Sequence, residues 1–363
     1  MQPLFAVLLT LKGHTDPVYA VAVAPDGKTF ATGSFDKTIK LWNAADGKER
    51  RTLGGTAGHT NLVLSVAFHP KEPILASSSS DNTVKFWDVK AEKPADAPVR
   101  NLAHPQLVNA IAFDKDGGRL ATGGQDGILR IWDVSKKENP APKTINAHVP
   151  PAPQQPQPIY AVLWTPDGKQ VITASNDKSI KIWDVDGAKL AREIKPGSDR
   201  PPPAKEMIGA APGVMGVANG FQLGLPPSPG HLDQVYTLAL SGDGKVLASG
   251  SADRTIKLWN PATGTLIRTL TNPNLKGGAH PGFVQGVRFT PDGSKLVSVG
   301  GAPKLKGYVA VWNVADGKLL SGAEVPLGTV YAVDVKADGT ALFGCGPKVR
   351  GATESEAVVV SVK

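Results

Sequence analysis

Apolar residues in this chain come in short runs, broken at regular intervals by Gly, Asp and Pro. Residues 13–54 show the pattern. Val18 to Val23 is a β-rich run, Pro25-Asp26-Gly27 a turn, Phe30 to Ser34 a second run and Asp36-Lys37 a second turn. Thr38 to Trp42 and Arg50 to Leu53 follow, with Asp46-Gly47 between them. Such runs predict short antiparallel strands, four to the unit, because Gly and Asp adopt the backbone angles that reverse a chain.

The unit repeats along the sequence. Trp42, Trp87, Trp132, Trp183, Trp259 and Trp312 end successive third runs, with the first two gaps both 45 residues. His14, His59, His104, His148, His231 and His280 open the units, and only Trp164 and His69 fall out of register. A four-stranded unit at this spacing predicts a β-propeller blade. A seventh unit is degenerate: Val330 to Val335, Ala341 to Gly344 and Ala357 to Val362 give three runs and no fourth. Phe5 to Leu11, ahead of the first His, supplies the missing strand, so that the ring closes without a free edge. The expected fold is all-β: a seven-bladed β-propeller of four-stranded antiparallel blades, one domain over residues 1–363, closed by the N-terminal strand completing the last blade.

These residues resemble the WD-repeat family, and the resemblance covers essentially the whole chain. It rests on Gly13-His14, Gly58-His59 and Gly230-His231 at blade starts, on Trp87-Asp88, Trp132-Asp133 and Trp183-Asp184, and on the variants Trp42-Asn43, Trp259-Asn260 and Trp312-Asn313. It implies a buried hydrogen-bond chain from the Trp indole through a Ser and a His to a turn Asp. The implied sets are His14, Ser34, Asp36 and Trp42 in blade one, and His59, Ser79, Asp81 and Trp87 in blade two. Blade four has His148, Ser175, Asp177 and Trp183; blade five has His231, Ser251, Asp253 and Trp259. Blade three departs, with Gly124 in the Ser position, and blade six has no Asp in the matching turn. The Pro-Asp-Gly-Lys turns look like those of bacterial WD-repeat proteins, in which the array is often fused to a further domain.

Departures from the repeat point to function, since loops on a rigid scaffold carry it. The fourth-to-first connections and the second-to-third turns share one face of such a ring, the top. Insertions at 149–158 and 195–229 and enlarged turns at 300–307 and 344–356 all fall there. Met207, Ile208, Val214, Met215, Phe221 and Leu223 mark the longest insertion as a docking segment. The position after the first residue of each first strand reads Tyr19, Leu64, Asn109, Tyr160, Tyr236, Gln285 and Tyr331. With Phe35 and Phe283 nearby, and with Lys37, Lys178 and Arg254 after the turn aspartates, this makes a top face for partner binding. Tyr is a common interface anchor, apolar with a polar tip.

Charge and chemistry narrow the function. Lys and Arg exceed Asp and Glu by 40 to 32, a net +8. Lys40, Lys85, Arg130, Lys181 and Lys257 lie two before each Trp and read as a solvated strand face. The Ser-His-Asp sets recur in separate blades, which a catalytic triad has no reason to do. Cys345 is the only cysteine, so no intrachain disulfide forms. One His per blade does not converge on a metal, and no Gly-rich phosphate loop opens a helix. The expectation is a non-enzymatic protein-interaction scaffold, without cofactor or metal, taking a protein or peptide, acidic or carboxylate-rich, on its top face. Alternatives are a nucleic-acid-binding propeller, an enzyme or cofactor binder using the central channel, and a module of a larger bacterial enzyme or cytochrome-containing protein. No apolar run is long enough for a membrane span. The expected state is a monomeric ring in the cytoplasm, or in the periplasm if the chain is part of a secreted precursor.

Overall fold

The computed structural model describes residues 5–90, 97–136, 138, 141–150, 155–197, 229–275, 277–347 and 355–361. Seven four-stranded antiparallel sheets follow one another around a channel. In blade one the strands are Val18–Val23, Thr29–Ser34, Ile39–Asn43 and Glu49–Leu53, from the channel outward. The only helix among the described residues is a single turn, Gly55–Ala57. Insertion residues 151–154 and 198–228, with the docking segment proposed there, and residues 348–354 lie outside the described residues.

Burial explains the composition of the strands. Every residue of Thr29–Ser34 is buried, because second strands are covered on both faces by neighbouring sheets. Small residues such as Ala31 and Gly33 let the sheets approach. The outermost strand Glu49–Leu53 is largely exposed and carries charge. Each apolar cluster is shared by two blades. Ala31, Ile39, Leu41 and Leu53 of blade one pack against Val63, Val66, Leu75 and Trp87 of blade two. Six further clusters join the remaining neighbours in the same way.

The ring closes through the termini. Val7–His14 is the outer strand of blade seven, pairing with Ser355–Ser361 in a register from Val7 opposite Val360 to His14 opposite Ser355. The strand starts two residues later than the sequence suggests and runs on to the first His. Phe5 packs into the cluster between blades six and seven.

A second lateral device was not legible beforehand. A cation on the outer strand of one blade donates to a carbonyl in the third-to-fourth turn of the next: Arg51 to Asp88, Arg100 to Val134, Lys143 to Asp186, Arg192 to Pro261 and Arg268 to Ala315. The register places Ser321 and Leu9 at the same position in blades six and seven. Among the described residues the two interfaces flanking blade seven therefore lack this latch, and Asp334 on the inner strand of blade seven bridges both instead, accepting from the Val23 amide at 2.8 Å and facing Arg288 at 3.5 Å.

Two readings from the sequence need correction. The cations before each Trp are tethers and not a solvated face. Lys40 donates to Glu49 and Thr52, Lys85 to the Ala57 and Gly58 carbonyls, and Lys181 to the Ala147 carbonyl. Lys257 donates to Thr269, and Arg130 is buried against Asp126. His69, out of register in the first-to-second turn of blade two and on that ground expected to matter little, is the second. Its Nδ1 accepts from the Lys71 and Glu72 amides and its Nε2 donates to the Gly117 carbonyl of blade three, 3.1 Å away.

Removing residues 1–11 would strip blade seven of its outer strand and of the Phe5 contact. The melting temperature of the truncated protein is expected to fall by several degrees, a loss of a few kcal/mol in a chain this size. A melting point unchanged in calorimetry would contradict the closure.

Candidate functional site

The top face is built on buried polar networks that hold its turns. In blade one the Trp42 indole donates to Thr32 Oγ1 at 2.8 Å, Thr32 meets His14 Nε2 at 2.7 Å, and His14 Nδ1 meets Asp36 at 2.7 Å. Indole is donor only and carboxylate acceptor only, so Thr32 and His14 relay hydrogen bonds between them and His14 Nδ1 donates to Asp36. Blades two, four and five repeat this with Ser77, Thr173 and Ser249 as the hydroxyl. The residues expected in that role, Ser34, Ser79, Ser175 and Ser251, lie two positions further along the same strand face. They are level with the turn and not with the Trp. Each instead donates to a carbonyl of the loop before the first strand and accepts the amide of the turn Asp. The sequence held the signal. Ten residues before the Trp there is always a hydroxyl in blades one to five, whereas the other position becomes Gly124 in blade three and Gly300 in blade six.

Blade three keeps half of the network. Trp132 and His104 share Thr122, but Asp126 pairs with Arg130 at 2.6 Å. Burial, with Arg130 beside it, lowers the His104 pKa to about 4. In blade six Trp312 and His280 share Ser298, and among the described residues His280 Nδ1 has no hydrogen-bond partner. The Tyr308 ring stands edge-on to His280 at 4.8 Å, and burial lowers the His280 pKa to about 3. Burial opposes ionisation of Asp36 and Asp177, but hydrogen bonds from their histidines and from Thr38 and Ser179 prevail and bring both down to about 2.

Those charged aspartates shape the turns that carry the surface cations. Asp36 accepts from the Thr38 amide and hydroxyl, forcing the residue between them into the left-handed region. That residue is Lys37 (φ 73°), Lys178 (φ 68°) and Arg254 (φ 67°) in blades one, four and five, and Asn82 in blade two. Side chains other than Gly and Asn adopt this region at a cost of about 1 kcal/mol. All three cations are exposed, and among the described residues none is in an ion pair.

The inner strands aim a second set of residues. Every first strand is bulged after its first residue: between Val18 and Ala20, Val63 and Ser65, Val108 and Ala110, and so around all seven blades. The residues left out of the ladder are Tyr19, Leu64, Asn109, Tyr160, Tyr236, Gln285 and Tyr331. A bulge re-aims its side chain, and all seven line the mouth of the central channel, a cavity of about 220 Å³. The pattern of apolar runs located the position but carries no trace of the bulge.

The structure gathers the aromatic residues into two groups. Tyr19 stacks on Phe35 at 5.0 Å and leans on Tyr331 at 5.4 Å. Tyr160 meets Tyr236 edge-on at 5.3 Å, and Tyr236 lies 6.1 Å from Phe283, which is half exposed. Tyr160 donates to Asn176 and Tyr236 to Gln234. Burial, with the other tyrosines nearby, pushes the Tyr19 hydroxyl up to about 12. Leu64 and Asn109 complete the ring on the side without aromatics, where the Asn109 amide donates to the Ile159 carbonyl. Blade six raises its second and third strands, Lys295–Ala302 and Lys306–Asn313, above this face. Lys304 and Leu305 at the tip are both left-handed. Among the described residues no group of His, Cys, Asp and Glu is arranged to hold a metal ion, and no helix is long and apolar enough to cross a membrane.

Comparison with known proteins agrees with this architecture. A model described as the IFT122 first beta-propeller matches residues 5–197, over half of the chain, and a WD domain, G-beta repeat matches residues 226–260. The chain is similar to cilia- and flagella-associated protein 52 of Chlamydomonas reinhardtii, 28% identical over 153 residues, 42% of this chain and 18% of that protein. It is similar to eukaryotic translation initiation factor 3 subunit I of Emericella nidulans, 34% identical over 124 residues, 33% of each. It is also similar to actin-interacting protein 1 of Drosophila melanogaster, 26% identical over 139 residues, 36% of this chain and 22% of that protein. The matches span a third or less of these relatives' own length. All three are eukaryotic, so the bacterial likeness of the turns finds no support in them.

Two measurements check the networks. Ser77→Ala orphans Trp87 and His59 and is expected to cost about 1–3 kcal/mol. Ser78→Ala removes a buried hydroxyl that has no partner among the described residues, and is expected to be neutral or stabilising. Equal losses in urea unfolding would reject the assigned linker. The second measurement is the pH dependence of stability. The unfolded chain protonates His280 below about 6.5 and the folded one only near 3, so the unfolded state binds more protons in that window and stability falls as pH drops through it. The aspartates lose their contribution only below about 3.8. Between pH 7.5 and 5, His280→Gln is expected to lose less stability than wild type; an identical loss would place the linkage elsewhere.

Proposed function

Because this chain belongs to the WD-repeat β-propeller family, matching the IFT122 first beta-propeller over more than half its length, we propose that it is a non-catalytic scaffold that binds a protein or peptide on its top face. The observation that carries the reading is the pair of half-buried aromatic groups at the channel mouth, Tyr160–Tyr236–Phe283 and Tyr331–Tyr19–Phe35. Seven bulges turn the inner strands toward that mouth, and interface energy concentrates in aromatic anchors of this kind. Two relatives are named for assemblies: one is a subunit of an initiation factor, the other an actin-interacting protein.

The partner chemistry follows from the rim. Lys37, Lys178 and Arg254 hold strained backbone positions with their charges exposed, and strain kept at a surface is a pointer to function. Acidic or carboxylate-rich segments complement them. Nucleic acid is the second reading, favoured by the net charge of +8. The cations stand one to a blade and not in a stripe, and nucleic-acid affinity would fall steeply with salt.

The test is to isolate a partner by pull-down and map its footprint by hydrogen exchange. Replacing Tyr160 and Tyr236 together by Ala is expected to weaken binding by about 2 kcal/mol or more with little change in melting temperature. Protection confined to the opposite face, at turns such as Asp26-Gly27 and Asp167-Gly168, would overturn the assignment.

A further inference from the structure

Blade two breaks the repeat on the bottom face. The other six blades turn from first to second strand through a Gly, as at Asp26-Gly27, Gly117 and Asp167-Gly168. Blade two has His69-Pro70-Lys71-Glu72-Pro73. Two prolines fix its backbone, and His69 locks it. Besides its three hydrogen bonds, the His69 ring stands edge-on to Phe113 at 5.1 Å. A Cβ at Gly117 would lie 2.0 Å from Nε2, so only glycine admits the ring. Such rigidity is not needed to reverse a chain, since the other blades manage with Gly turns.

The stiffened turn forms one wall of a groove between blades one and two, with a cavity of about 440 Å³. Its floor is apolar, from Pro25, Phe68, Pro70, Pro73 and Val89. Four cations, Lys28, Arg50, Lys71 and Lys90, stand around it against Asp26 and Glu72. Asp26 is already engaged by the Lys28 amide, Arg50 by Thr29, and Lys71 by Asp116. Lys28 and Lys90 are exposed and, among the described residues, in no ion pair.

We propose that this groove is a second docking surface, on the face opposite the tyrosines, and that it takes a linear acidic segment whose aliphatic side chain enters the apolar floor while its carboxylates meet Lys28 and Lys90. The rim charge selects the sign of the occupant, and the proline-lined floor is preformed, so that little ordering cost opposes binding. With two such faces the ring joins two partners without rearranging.

The probe is a fluorescent, end-blocked short peptide of alternating glutamate and leucine, titrated by anisotropy against the full chain. Saturable binding is expected, weakened roughly fivefold or more by Lys28→Glu/Lys90→Glu. It is expected to be lost when the leucines become serines, and unchanged in Tyr160→Ala/Tyr236→Ala. Lys245→Glu/Lys318→Glu, two lysines about 80% exposed in blades five and six (81% and 79%), controls for net charge and is expected to have no effect. Absence of saturable binding, an equal loss in the control variant, or loss in the tyrosine variant would each overturn the proposal. The last of these would assign the peptide to the top face and leave the function proposed there standing.

Discussion

The apolar faces of the seven sheets are buried only against one another, so each cluster of core residues belongs to two blades at once. A blade taken alone would leave residues such as Ile39, Leu53 and Trp87 in water. Stability is thus a property of neighbouring pairs, as in other repeat architectures, and the last pair matters as much as any other. This is why Val7–His14 is tied back to Ser355–Ser361. It also explains the small residues of the second strands, which set how closely sheets approach.

A ring held in this way leaves its two faces free to vary. The top carries bulged inner strands and left-handed turns, features that weaken a ladder locally and are tolerated where the surroundings fix them. Buried networks do that fixing. His14 and Asp36 hold the turn bearing Lys37, and the same pair recurs beneath Lys178 and Arg254. Blade six has given up the Asp, and the position carries a raised hairpin in its place.

Much of this was legible from the chain. Trp and His in register, with Asp-Gly turns between apolar runs, contain the blade count, the order of strands and the closing strand, because turn chemistry and strand alternation are local. What failed was finer. Thr32 and Ser34 face the same way on one strand, so alternation cannot choose between them; only comparison across blades does. The bulge at Tyr19 depends on pairing, which a single strand does not record. The latches from Arg51 or Arg192 reach the neighbouring blade, and in sequence they look like ordinary charges on an exposed edge. His69 was visible as an exception, but its bond to Gly117 crosses between blades.

The closing pair has a consequence during synthesis. Its two strands are separated by roughly 340 residues, so at about 5–20 residues per second the outer strand waits on the order of 20 to 70 s for its partner. During that interval Leu9 and Leu11, which pack inward in the finished ring, have no sheet to cover them. A neighbouring nascent chain offers the same Ser355–Ser361 edge, so exchange of the strand between two chains competes with closure of one ring. The spacing of ribosomes on a message thereby becomes a variable in how faithfully this ring assembles.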